Sequence, residues 1–232
     1  MPSKLAAFLE TVPGHFGVSI RRTLSPQIEG GESNDAADTG GPTNAGLAHT
    51  TIRDLRWSDD PDHLAFDFDG DGDVDVIDVH AIPDHPDAVV RWYRQRCWNM
   101  IRGDDLPWPL NYLTFDAAVN HGNDPAARIL QRCLRVSVDG VIGSRVTIPA
   151  ALRADKRRVI QEYIAVRSLL YSTIIWRRYV SRIRKGWSEE KARAYAFRFA
   201  LGWHRRTSNV SLFALEHAED TAPVVGSQED SQ

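Results

Sequence analysis

The stretch DKRRVIQEYIAVRSLLYSTIIWRRYVSRIRKG (155–186) decides the fold class. From Lys156 to Lys185 it contains neither proline nor glycine, so nothing interrupts a helical hydrogen-bond ladder, and it reads as one long helix broken at Gly186. Towards the C-terminus, Ser188 caps a further helix with Glu189 and Glu190 in its first turn, where carboxylates meet the positive end of the helix dipole. From about Ala218 the chain is short of apolar residues and ends in VVGSQEDSQ, so 218–232 is expected to be a disordered tail.

Towards the N-terminus, VDGVIG (138–143) reads as a turn. Before it, Asp124 is placed to cap a helix with Pro125 at its first position and Ile129, Leu130, Cys133 and Leu134 on its apolar face. FDAAVNHG (115–122) reads as a short helix ended by Gly122, with Asp116 near its start as a cap. Residues 86–101 fit a helix buried along one stripe, with Pro86 in the first turn. Cys97 and Cys133 fall among these apolar helical positions and are expected to be buried free thiols. The chain is therefore mainly α, in two parts joined near residue 138.

The 232 residues carry 28 basic and 31 acidic side chains, a net charge of −3, and 42% of them are hydrophobic, enough for a sizeable core. The near-neutral sum conceals a segregation. Residues 28–87 hold 16 acidic and 2 basic side chains, whereas 145–206 hold 16 basic and 4 acidic ones. No apolar run reaches the roughly 18 residues a membrane span needs. The N-terminal stretch lacks the apolar core of a secretory signal, so the protein is expected to be made in the cytoplasm without a signal peptide.

Part of the acidic segment has a definite pattern. DFDGDGDVDVID (67–78) fills every ligand position of an EF-hand loop: Asp67, Asp69, Asp71, the carbonyl of Asp73, Asp75 and Asp78, with Gly72 at the sharp turn and Val74 at the apolar position. So many carboxylates repel one another unless a cation sits among them. The expected ligand is Ca²⁺, structural in role, with ordering by extracellular calcium as a regulatory variant. Position 12 is Asp rather than Glu, and Pro83 stops the short exiting helix.

The other acidic feature is IEGGESNDAADTGGPTNAG (28–46). Glycosidic cleavage commonly uses two carboxyl groups flanking the bond, one of them protonating the leaving oxygen. Glu29, at the end of a helix, is the candidate acid, since partial desolvation raises a carboxyl pKa. Asp38 across the Gly-rich loop can stay ionised, Thr43 can hold water, and the glycines, Gly41 among them, let backbone approach a polymer closely. Asp35 is the nearest rival to Asp38.

The arrangement Glu29-Gly30-Gly31, Asp38, Gly40-Gly41, Thr43 and Gly46 resembles the signature of glycoside hydrolase family 108, the muramidases of phage endolysins and secretion-activator proteins. GDDLPWPLNYLTFDAAVNHG (103–122), AARILQRCLRVSVDGVIGSRV (126–146) and FALGWHRR (199–206) resemble its later elements in order. Glu32 departs from the aromatic usual after EGG, and Pro26 lies one turn before Glu29. The resemblance implies a lysozyme-like helical domain over 1–137, carrying the calcium loop as an insertion, and a helical peptidoglycan-binding module over 138–217. It also implies cleavage of the β-1,4 bond between N-acetylmuramic acid and N-acetylglucosamine, with Glu29, Asp38 and Thr43 as catalytic residues and Gly41 and Asn120 as substrate contacts. Asn120 reads equally well as a helix-end cap, and His121 as a plain surface residue.

The basic segment interleaves Arg153, Lys156, Arg157, Arg158, Arg167, Arg177, Arg178, Arg182, Arg184 and Lys185 with Tyr171, Trp176, Tyr179 and Trp187. Such a surface suits an anionic partner, whether peptidoglycan and its attached acidic polymers, anionic lipid or nucleic acid, and the resemblance makes peptidoglycan the expected one. No groove-reading motif points to specific nucleic-acid binding. The protein is expected to be a monomer that reaches the wall through a holin-like pore or a secretion system. The alternative reading is a non-catalytic, calcium-dependent wall-binding protein.

Overall fold

The computed structural model describes residues 4–24, 43–45, 47–49, 52 and 66–220. They fall into two compact units, one within residues 1–100 and one within Ile101–Ala222. Among the described residues the protein is mainly α, as the sequence predicts, and the strands are confined to one two-stranded hairpin.

The first unit begins with α1 (Lys4–Leu9) and α2 (Gly14–Thr23), tied by Arg21 Nη1, which donates to the Leu9 carbonyl at 2.8 Å. The antiparallel hairpin of β1 (Thr43–Asn44) and β2 (Leu47–Ala48) pairs Thr43 with Ala48 and Asn44 with Leu47. After the acidic loop come α3 (Val76–Ala81), a 3₁₀ turn containing Pro83 (Ile82–Asp84) and α4 (Pro86–Tyr93). Pro86 occupies the first turn of α4, where a missing N–H costs nothing. The helix then widens into a π-helical turn, Arg94–Trp98, so the expected 86–101 helix is two geometries in series. That turn carries Cys97 and Trp98 into the core, with Phe16 of α2 against Trp98 at 5.4 Å between ring centroids. The Arg94 guanidinium covers the Phe16 ring at 5.0 Å.

The second unit is built on α8. Its helices are α5 (Leu110–His121), α6 (Asn123–Leu134), α7 (Thr147–Arg153), α8 (Lys156–Arg184), α9 (Glu189–Phe197) and α10 (Ala200–Glu216). Helices α6, α9 and α10 pack on α8, and α5 packs on α6 and α10. Helix α8 runs as predicted: the Asp155 carboxylate accepts from Arg158 N, and Gly186, at φ +79°, ends it. There Gly186 N donates to Ile183 O and Trp187 N to Arg182 O, satisfying two of the last carbonyls. Ser188 caps α9 by accepting from Lys191 N.

Helix α5 is longer than predicted. It starts at Leu110, not near Phe115, and every residue from Leu110 to Ala118 is buried. An all-round buried helix belongs in the centre of a unit, and Asp116 therefore sits in mid-helix rather than at a cap. Helix α6 also begins two residues earlier than expected: Gly122, at φ +87°, is its N-cap and Asp124 lies in its first turn. Both cysteines are buried and free, and desolvation pushes each thiol up to about 12.

Candidate active site and its supports

Glu29, Asp38 and Gly41, together with Asp35, Glu32 and Pro26, lie outside the described residues; Thr43 is placed as the first residue of β1. The elements that carry this hairpin are well defined. Asn44 and Leu47 are buried, and the turn residue Ala45, at φ +47°, presents its carbonyl to Tyr93 Oη at 2.9 Å. Tyr93 is itself fully buried at the end of α4. Helix α3, which leaves the acidic loop, packs on β1. The strand that begins with Thr43 is thus held from one side by α4 and touched by the helix that follows the acidic loop.

Within that loop the backbone folds around its own carboxylates. Asp67 accepts from Gly70 N at 2.8 Å and Gly72 N at 3.0 Å, and both glycines have positive φ. Asp78, 1% exposed, closes the loop: Oδ1 accepts from Phe68 N at 2.6 Å and Oδ2 from Asp75 N at 2.8 Å. Asp75 in turn accepts from Ile77 N, completing a capping box at the start of α3. Val74 is buried, as its apolar position requires, and Phe68 stacks on His85 at 3.9 Å.

Asp67, Asp69 and Asp71 bring carboxylate oxygens within 4.8 Å of one another. A cation bonded to oxygen at about 2.4 Å spans opposite ligands at about that separation, so these donors fit a hard divalent ion. The Asp71 backbone N–H favours ionised Asp69, yet desolvation and the carboxylates of Asp71, Asp78 and Asp67 together leave its pKa raised.

Asn120 and His121 lie at the end of α5. Asn120 Nδ2 donates to the Asp116 carbonyl one turn back, at 2.7 Å, and the side chain is half-buried. One turn earlier, Asp116 is fully buried and receives Arg167 Nη1 from α8 and Arg206 Nε, at 2.9 Å, from α10. Arg167 lies between the rings of Tyr163 and Tyr171, and Tyr163 Oη donates to the Leu113 carbonyl at 3.1 Å. Burial alone would raise the Asp116 pKa, but Arg206 and Arg167 override it and hold the carboxyl below its usual range. Arg167 was expected on the basic surface; instead it is the buried counter-ion of Asp116.

His121 is no surface residue either. It packs on Tyr171 at 5.1 Å, and desolvation, aided by the positive charge of Arg167, lowers its pKa to about 4. In the unfolded chain it titrates near 6.5, so between those values the unfolded state binds a proton that the folded state refuses. Stability then falls as pH drops from about 6.5 to about 4, by on the order of 3 kcal/mol in full. Urea unfolding at pH 7 and at pH 4.5 should show this loss, and His121→Gln should flatten the dependence over that window. An unchanged slope in the variant would assign the acid sensitivity elsewhere.

The VDGVIG turn is a structural lock. Gln131 Nε2 donates to Asp139 Oδ1 at 2.6 Å and to the Val141 carbonyl at 3.0 Å, while its Oε1 accepts from Gly140 N at 2.9 Å. Arg128 spans from Asp124 to the carbonyls of Val138 and Asp139. Gly140 is required here: its φ is +83°, and a Cβ would lie 2.2 Å from Asp124 Oδ1. Beyond the turn, part of the basic excess is used inside the unit. Arg182 sits over Tyr195 at 4.2 Å and donates to its hydroxyl at 2.7 Å, joining α8 to α9, and Lys191 covers Trp187 of the connecting turn at 4.3 Å. Tyr171 is core, Tyr179 and Trp187 are half-buried, and Trp176 is exposed.

A small α unit with a short hairpin, joined to a helical module, is the architecture of lysozyme-like wall hydrolases with a binding domain. Residues 23–122 match the glycosyl hydrolase 108 family model, and residues 125–208 match that of a predicted peptidoglycan domain. The solved structure of Brucella abortus SagA is similar at 26% identity and a TM-score of 0.63, over 88% of this chain and 96% of that one. No curated protein sequence matches the chain. The chain therefore carries a glycosyl hydrolase 108 domain followed by a peptidoglycan-binding domain, and it is a glycoside hydrolase acting on peptidoglycan.

The two family matches adjoin at 122–125, whereas the compact units part between Met100 and Ile101, and the sequence reading divides the chain at 137/138. The difference has a physical content. Helix α5 belongs to the hydrolase segment, yet its Asp116 is bound by Arg167 and Arg206 of the peptidoglycan domain. Beyond Asp220 the expected tail lies outside the described residues.

Proposed function

We propose that the protein is an N-acetylmuramidase that cleaves the β-1,4 bond between N-acetylmuramic acid and N-acetylglucosamine. Glu29 protonates the leaving oxygen, Asp38 stabilises the developing oxocarbenium charge or activates water, and Thr43 positions that water. Gly41 and Asn120 contact the glycan. The observation that carries this reading is the hydrolase match over 23–122, which contains the whole Glu29–Thr43 signature and leads directly into a peptidoglycan domain. Passage to the wall by a holin-like pore or a secretion system, as a phage lysis protein requires, belongs to the same reading. Mass spectrometry of fragments released from purified sacculi tests it. Muramic acid at the new reducing ends is the expected result; N-acetylglucosamine there, or cut peptides, would sink it.

The 67–78 loop is proposed to hold one Ca²⁺ through Asp67, Asp69, Asp71, the Asp73 carbonyl, Asp75 and Asp78. Support comes from the clustered oxygens of the first three and from the glycines at the two tight bends. Bound calcium would stiffen the loop and, through α3, the strand that starts at Thr43. A ligand at about 100 times its dissociation constant stabilises the native state by about 2.7 kcal/mol. Calcium over chelator should therefore raise Tm by about 5 °C or more, and Asp67→Ala should abolish the rise. A Tm indifferent to calcium would remove the ion from this account, and activity should be read beside it.

A further inference from the structure

The peptidoglycan domain carries an exposed, mainly apolar surface with a basic margin. Trp176, Phe197 and Leu201 are 64%, 56% and 70% exposed, unusual values for such side chains in one place. They line one concavity of about 560 Å³ between α8, α9 and α10, whose floor is Ile175, Tyr179 and Ala200. Trp176 also borders a neighbouring concavity with Arg177, Arg184 and Lys185, while Arg193 borders the first beside Phe197. Those four cations make no hydrogen bond or ion pair among the described residues. Residues 176–205 hold nine basic side chains against two acidic ones, Glu189 and Glu190, which border Arg193 and Phe197 on the outer side.

We propose that this face docks on a bilayer surface bearing anionic phospholipid headgroups. An apolar centre of Trp, Phe and Leu with a basic margin is the footprint of a peripheral, interfacial contact, in which the apolar groups enter the headgroup–acyl boundary and the cations meet phosphates. The concavity is lined mainly by apolar side chains, with Ser172, Tyr179, Arg193 and His204 as its polar groups, so an acyl chain entering it buries more apolar surface than the hydroxyl and amide groups of a glycan strand would. Among the described residues no helix is long and apolar enough to cross a membrane, so the contact is with the surface. Docking here does not depend on the muramidase reading. It would hold a wall hydrolase at the membrane face beneath its polymer.

Flotation of the full chain with vesicles tests the proposal. The protein should rise with phosphatidylcholine–phosphatidylglycerol vesicles at least about tenfold more than with phosphatidylcholine alone, and release at about 1 M salt, where the screening length is about 3 Å. Phe197→Gln combined with Leu201→Gln should weaken flotation by at least about tenfold. The same variant should digest lipid-free sacculi at the wild-type rate and keep its thermal melt. No flotation with either vesicle, or equal flotation with both, overturns the proposal. Loss of sacculus binding in the variant with vesicle binding intact also overturns it and gives the face to the wall. Wild-type protein that floats but leaves sacculi intact would sink the muramidase reading and leave this one standing.

Discussion

Glu29→Gln should lower the release of reducing ends from peptidoglycan by at least about 10³-fold, with the fold and wall binding intact. A sugar oxygen is a poor leaving group unless it receives a proton as the bond breaks. Glutamine keeps the size and hydrogen-bonding reach of glutamate but has no proton to give, so the change removes general-acid catalysis and little else. General-acid groups contribute about 10²–10⁴ in rate, and the substitution should take most of that. Binding should persist because the peptidoglycan match begins at residue 125, far along the chain from Glu29. The neighbouring acids supply the control. Glu32→Gln and Asp35→Asn should keep most of the activity, whereas Asp38→Asn should lose a large part of it. Full activity in Glu29→Gln would mean another group delivers the proton. Sacculus binding without hydrolysis in the wild type would instead favour a wall-binding protein.

How much of this was legible in the sequence depends on what each residue's neighbours are. Helix α8 could be read because its signals are local: Asp155 caps it, no proline or glycine interrupts it, and Gly186 ends it. The same holds for Ser188 and for the turns of the acidic loop, where each carboxylate answers a backbone N–H a few residues away. The start of α5 was hidden by Pro107 and Pro109, which look like breakers. Both in fact sit just ahead of the helix, and their carbonyls accept its first N–H groups. With the start misplaced, Asp116 looked like a cap. The basic composition of the segment makes Arg167 look like surface charge, but it falls on the stripe Ile160, Tyr163, Tyr171 and Ile175, spaced by three and four residues. A cation on an otherwise apolar stripe implies a buried counter-ion, and that signal was present. Its partner, 51 residues away, was not. Nor could composition separate cations that stack on aromatic rings from those left to face a partner.

The buried cluster carries the second large effect: Asp116→Ala should destabilise the protein by about 3–5 kcal/mol, lowering Tm by about 10 °C or more. The side chains of Asp116 and Arg167 are fully buried and that of Arg206 is 7% exposed, so deletion of the carboxylate leaves two cations without their shared anion in a low-dielectric site. The cost falls mainly on those stranded charges rather than on lost contacts. Removing a cation along with the anion should therefore hurt less than the separate losses add up to. Asp116→Ala with Arg167→Met should show a coupling of about 0.5–3 kcal/mol in a double-mutant cycle. Simple additivity, or a single-variant loss below about 1 kcal/mol, would mean the cluster is replaceable packing. The pH dependence separates this group from His121. Because the folded Asp116 pKa is depressed, its contribution is fully present above the unfolded value near 3.9 and is lost only as pH falls through the folded value. The His121 contribution has already gone by about pH 4. Wild-type unfolding followed downward in pH should thus lose stability in two stages, and Asp116→Ala should lack the lower one. Since Asp116 belongs to the hydrolase segment and both arginines to the peptidoglycan domain, the same variant should loosen α5, and Asn120 with it, from helices α8 and α10.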